Sequence, residues 1–255
     1  MRQAYDPESL IALHEDDEPN LDGAYKIEAQ MRNGFVRKVY GIVACQVLLT
    51  TIISGYFTLN ERARIWCLAG SGRFLFGFLG IAAFGLILGL ACVPSARTKY
   101  PLNMGLLFAL TVCMSATVAN ACAYVAVAVN SVVVLEALVL TLVAVVGLTI
   151  FAMQTKYDLT FMNGFLTIGL CVLLGVGLVR MIWPSLPGGD LLMSGGGAII
   201  FSGYILVDTQ LLVGNGEVQL SPDDYIGAAL NIYLDIINLF MSILQLLAAS
   251  QDNSS

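Results

Sequence analysis

The chain has 255 residues, 58% hydrophobic and only 12% charged, about half the charged share of a soluble domain. That argues against a water-soluble protein and for one solvated mainly by lipid. The net charge of −6 belongs to residues 1–30, where Asp6, Glu8, Glu15, Asp16, Asp17, Glu18, Asp22 and Glu28 face only Arg2 and Lys26. The remaining body is neutral, so neither a strongly basic partner nor a nucleic acid is expected for it.

Residues 1–34 read as an acidic cytosolic tail. With Pro7, Pro19 and few large apolar residues, it is expected to be disordered. His14, the single histidine, reads as a solvated tail residue. The acidic start lacks the basic region of a cleavable signal, so the first span is expected to act as the targeting signal.

From residue 35 to 250 the sequence reads as one domain. Seven stretches, at about 36–57, 74–93, 103–124, 131–153, 160–183, 192–213 and 224–247, are long and apolar enough to cross a bilayer. In lipid each must be a helix, because an open backbone has nothing there to bond to. The expected fold is therefore an all-α integral membrane protein, a seven-transmembrane-helix bundle. A cytosolic N-terminus puts Arg2, Lys26, Arg32, Arg37, Lys38, Arg97, Lys99 and Lys156 inside and Arg62, Arg64, Arg73 and Arg180 outside, the expected bias.

Small residues recur at two places. FGLILG in the second span sets Gly85 and Gly89 at GxxxG spacing, and SGGGAIIFSG (194–203) fills the sixth. Both read as sites of close helix packing within the bundle. The six cysteines have no CxxC spacing and read as small apolar residues. Asn103, Asn120, Asn163, Asn238, Gln46, Gln210 and Gln245 read as polar contacts between helices. The run from Arg180 to Pro184 reads as an interfacial helix end.

Three acids fall within the spans: Glu136 in VVVLEALVL, Asp208 in YILVDTQLL and Asp235 in NIYLDIINLF. An acid at mid-bilayer costs about 3 kcal/mol, so such residues usually face protein or water. At 1.5 Å per residue, Asp208 lies roughly 7–8 Å and Asp235 roughly 16 Å from the cytosolic side, so the two can meet within the bundle. Paired carboxylates away from water cannot both ionise cheaply; they share a proton, respond to pH near neutrality and can ligate a hard cation such as calcium through oxygen. Glu136, near the outer end of the fourth span, reads as an acid that draws cations in. The alternative for each acid is a hydrogen bond that merely fixes the bundle. Arg97, at the cytosolic end of the second span, is a candidate partner for Asp208. No phosphate loop, Ser/His/Asp set or HExxH is present, and no enzyme activity or cofactor is expected.

The stretches FVRKVYGIVACQVLLTT (35–51), KYPLNMGLLFALTVCMS (99–115), LEALVLT (135–141), FAMQTKYDLT (151–160), GYILVDTQLL (203–212) and AALNIYLDIINLF (228–240) resemble the transmembrane BAX inhibitor motif family, its lifeguard branch in particular. The resemblance implies six helices around a central seventh. It also implies a pH-sensitive calcium leak of an internal membrane, endoplasmic reticulum or Golgi, and suppression of cell death. On this sequence the paired aspartates of the family fall on Asp208 and Asp235 and its outer acid on Glu136. Arg97 is the nearest match to the arginine that, in bacterial relatives, latches the closed state. Those relatives also carry a glutamate in the second span, where this chain reads FGFLGIAAFGLILG.

Two functions of different class follow as expectations. One is a calcium-permeable leak, with calcium and protons as its ions and the bilayer as its setting. The other is a non-conducting scaffold that acts through apoptosis-regulating membrane proteins. A G-protein-coupled receptor fits poorly, since the loops are short. An intramembrane aspartyl protease requires a GxGD-type motif, whereas ILV precedes Asp208 and IYL precedes Asp235.

Overall fold

A computed structural model describes residues 21–183, 186, 188–214 and 220–252. Nine α-helices run through the described residues. They are α1 (Leu21–Leu59), α2 (Glu61–Leu68), α3 (Gly70–Cys92), α4 (Pro94–Thr98), α5 (Leu102–Ala128), α6 (Ser131–Gln154), α7 (Asn163–Ile182), α8 (Gly189–Val213) and α9 (Tyr225–Asp252). Short 3-10 turns at Thr160–Met162 and Pro222–Asp224 lead into α7 and α9. Seven of these helices, α1, α3 and α5 to α9, are long and apolar enough to cross a membrane. The chain is thus an all-α multi-pass membrane protein.

Polar residues set the ends of the elements. Asn60 accepts from the Ala63 amide and starts α2, and Asn130 accepts from the Val132 amide and starts α6, each satisfying one of the free donors of a helix N-terminus. Pro94 opens α4 at its first turn, where a missing amide hydrogen costs nothing. Gly188 and Gly214 bracket α8 with φ of +72° and +80°, the left-handed region that glycine enters freely.

The seventh span, α9, is central. It packs against α8, α6, α1 and α5, while α3 lies against α5 and α7 against α8. The second and fifth spans therefore sit outside this inner set. Phe35, Val39, Ile205, Leu212, Ile232 and Leu239 join α1, α8 and α9 in one buried cluster. Val118, Cys122, Val133, Ala137, Tyr233 and Phe240 join α5, α6 and α9 in another. Lipid tails are as apolar as these side chains, so close packing and interhelical hydrogen bonds hold the bundle.

Two expectations need correction here. Residues 21–34, read as tail, are helical: α1 begins at Leu21. Residues 1–20, with His14, lie outside the described residues, as does Pro184. Gly85 and Gly89 face open space, so the GxxxG of α3 makes no close contact in the bundle. The glycines of the sixth span behave as expected. A Cβ at Gly197 meets Ser242 Oγ at 2.5 Å, and one at Gly203 meets Leu166 Cδ2 at 2.6 Å. All six cysteines are free.

Candidate functional site

Asp208 on α8 and Asp235 on α9 come together. Their side chains lie within hydrogen-bonding reach of each other. Asp235 is buried, and its Oδ2 has no hydrogen-bond partner; Asp208 is half-buried. Five residues separate Asp208 from the end of α8 and ten separate Asp235 from the start of α9. The levels match because α9 begins about 7 Å further out than α8 ends, at 1.5 Å per residue.

One hydroxyl network lies beside Asp208, and a second lies around Tyr233 on a different face of α9 from Asp235. Beside Asp208, the Tyr40 hydroxyl of α1 lies 3.0 Å from Thr209 Oγ1 and also reaches Thr149 of α6. Two residues before Asp235, the buried Tyr233 hydroxyl lies 2.9 Å from Thr50 Oγ1, which in turn lies 3.0 Å from Ser115 Oγ. Neither network reaches Asp235 Oδ2. A buried carboxylate oxygen without a donor is costly, and a proton on the pair or a cation beside it relieves that cost. Among the described residues no group of three or more His, Cys, Asp or Glu side chains is placed to hold a metal ion. Calcium ligation by this pair therefore needs oxygens from hydroxyls, backbone or water.

The candidate latch forms differently from the expectation. Arg97 Nη1 lies 3.3 Å from Asp224 Oδ2, not against Asp208. The cause is the break at Pro94: α4 is a separate element that carries Arg97 to the turn preceding α9. Asn103 strengthens this corner, its Nδ2 donating to the Arg97 carbonyl at 3.0 Å and to the Tyr225 hydroxyl at 3.3 Å. Another arginine closes the end of α8. Arg32 Nη1 donates to the Leu220 carbonyl at 2.7 Å, and its guanidinium lies so near Gly214 that a Cβ there meets Nε at 2.7 Å.

Glu136 is exposed on α6 beside exposed Leu135, Val139 and Leu140. It is brought neither to the acid pair nor to the cleft on the opposite side of the bundle. That cleft, about 970 Å³, is lined by Asn120, Ser194, Gln245 and the ion pair Arg180–Asp190 among others. The draw on cations expected of Glu136 thus has no place on an interior route.

A polar stripe that single-residue reading passed over runs from the pair toward this cleft. Asp235, Asn238, Ser242 and Gln245 recur at three- and four-residue steps and so share one face of α9. Ser242 Oγ donates to the Asn238 carbonyl and Asn238 Nδ2 to the Leu234 carbonyl, both at 2.8 Å. These bonds stay within α9, so Asn238 is not an interhelical contact through them. The spacing was the signal; it shows only when the four residues are read together.

A family model described as Bax1-I, inhibitor of apoptosis-promoting Bax1, matches residues 32–252. The chain belongs to this family. Among its Bax1-I relatives, a BI1-like protein of Arabidopsis thaliana is 37% identical over 223 residues, covering 86% of this chain and 82% of the relative. Protein lifeguard 4 of Mus musculus is 35% identical, covering 86% of each chain. The Golgi anti-apoptotic protein of Vaccinia virus (strain Lister) is 35% identical over 242 residues, covering 95% of this chain and 96% of the relative. The Bax1-I match begins at Arg32, within the first span, and takes in the other six whole.

Proposed function

We propose that this Bax1-I protein is a calcium-permeable leak of an internal membrane, Golgi or endoplasmic reticulum, and that it restrains cell death by setting the calcium held there. The observation that carries the reading is the contact between Asp208 and Asp235 together with the unpartnered, buried Oδ2 of Asp235. An acid pair in the centre of a bundle, at the end of a polar stripe that leads to an open cleft, suits the passage of a cation better than it suits packing.

The gate in this reading is the shared proton. With one proton between them the carboxyl groups hold α8 and α9 together. Losing it sets two like charges against each other, at a cost on the order of a few kcal/mol in a partly buried site, and the helices part. The family names, Bax1 inhibitor and Golgi anti-apoptotic protein among them, support the role in cell death and the membrane assigned. The N-terminus lies in the cytosol, on the side favoured by Lys and Arg.

The test is calcium flux through the purified chain in liposomes loaded with a calcium dye. A leak predicts entry that scales with protein content. A scaffold acting only through other membrane proteins predicts none, and absence of flux across pH would overturn the reading.

A further inference from the structure

A groove of about 450 Å³ runs between α1 and α5, away from the acid pair. At its mouth are Arg37 and Lys38, with Gly41 and Cys45 along the α1 wall and Leu107 and Phe108 on the α5 wall. Gln46 lies towards the inner end, where its Nε2 donates to Thr111 Oγ1 at 2.9 Å. No acid lines the groove, so the two cations at its mouth are not neutralised within it.

Arg37 and Lys38 also mark a level in the membrane. They are the last charged residues before Glu61, and everything between is uncharged. Both side chains are exposed, and the Lys38 ammonium is held over the Tyr225 ring, 3.2 Å from its centroid. Basic residues between spans at this level recognise anionic lipid headgroups. Below them Gly41 leaves free volume, for a Cβ there meets nothing within 4 Å.

We propose that this groove holds one anionic glycerophospholipid from the leaflet on the tail side. Its phosphate sits between Arg37 and Lys38, and one acyl chain lies over Gly41 and Cys45 against Phe108. The cations select the headgroup charge, and the missing side chain at Gly41 makes room for the chain. The site is independent of whether the protein conducts calcium.

Native mass spectrometry of the full chain in detergent tests this, with dioleoylphosphatidylserine and dioleoylphosphatidylcholine as probes. One saturable phosphatidylserine per chain is expected, bound at least tenfold more tightly than phosphatidylcholine. Arg37→Gln removes that preference. Gly41→Leu, which has room to fold, blocks retention of the lipid while the cations remain, and Cys45→Trp does the same from the next turn. Soluble glycerophosphoserine does not compete, because it lacks the chain. Equal binding of the two lipids, displacement by glycerophosphoserine, or retention of lipid by both Gly41→Leu and Cys45→Trp overturns the proposal.

Discussion

Asp208 and Asp235 meet across the α8–α9 contact, and the Oδ2 of Asp235 stays buried without a partner. Two carboxyl groups placed so cannot both be charged without strong repulsion. Their protonation and the separation of α8 from α9 are therefore one equilibrium in the proposed gate.

The sign of its pH dependence follows. In acid the shared proton is present and the pair holds the helices together. As pH rises the proton leaves, the repulsion appears and calcium flux increases. Asp208→Asn and Asp235→Asn each remove the shared titration, so flux in liposomes should lose its steep response to pH. Wild-type pH response in both variants sinks the shared-proton gate.

Arg97 should couple to Asp224 and not to Asp208. Both members of the Arg97–Asp224 pair are about 30% exposed, so the coupling is expected to be modest, about 0.2–1 kcal/mol. A double-mutant cycle with Arg97→Ala and Asp224→Asn, read by thermal unfolding, measures it. A larger coupling between Arg97→Ala and Asp208→Asn in the same assay contradicts the geometry described above.

Gln210 holds the connection between α6 and α7. Its Nε2 donates to the Tyr157 carbonyl at 2.9 Å, and its Oε1 accepts from the Leu159 amide at 2.8 Å. Gln210→Leu strands both backbone groups next to a buried side chain and should cost about 1–3 kcal/mol. Denaturation in detergent checks this, and no loss of stability argues that water replaces the amide.

Gly197 sets the distance between α8 and α9 on the cleft side of the acid pair. A Cβ there meets Ser242 Oγ at 2.5 Å, while that hydroxyl bonds the Asn238 carbonyl. Gly197→Val should destabilise by about 1–3 kcal/mol through overpacking. Adding Ser242→Ala should recover part of that loss. Full stability in Gly197→Val alone would show that the two helices separate freely.

The seven spans were legible because lipid demands some twenty apolar residues for each crossing, and the observed helices differ from that reading mainly at their ends. The meeting of Asp208 with Asp235 was legible for a related reason, since acids in apolar runs turn toward one another or toward water. Other features needed coordinates. The helices α2 and α4 are too short to be spans, so hydropathy does not mark them. Pro94 starts a new helix whose direction no spacing rule supplies, which is why Arg97 went to Asp224. Glu136 has a depth that sequence gives and a facing direction that it does not. Residues 21–28 precede the apolar stretch of the first span, so hydropathy gave no reason to carry the helix back through them.

The length of α1 has a mechanical meaning. It is one unbroken helix of 39 residues, about 58 Å long, and only Ala29–Leu59 has the character of a span. Along this one rod sit Arg32 at the end of α8, Tyr40 beside Thr209, and Thr50 against Tyr233. Because α1 is unbroken, its hydrogen bonds to Thr209 on α8 and to Tyr233 on α9 are made from one rigid rod. The first helix thus splints α8 and α9 to each other on either side of their own contact.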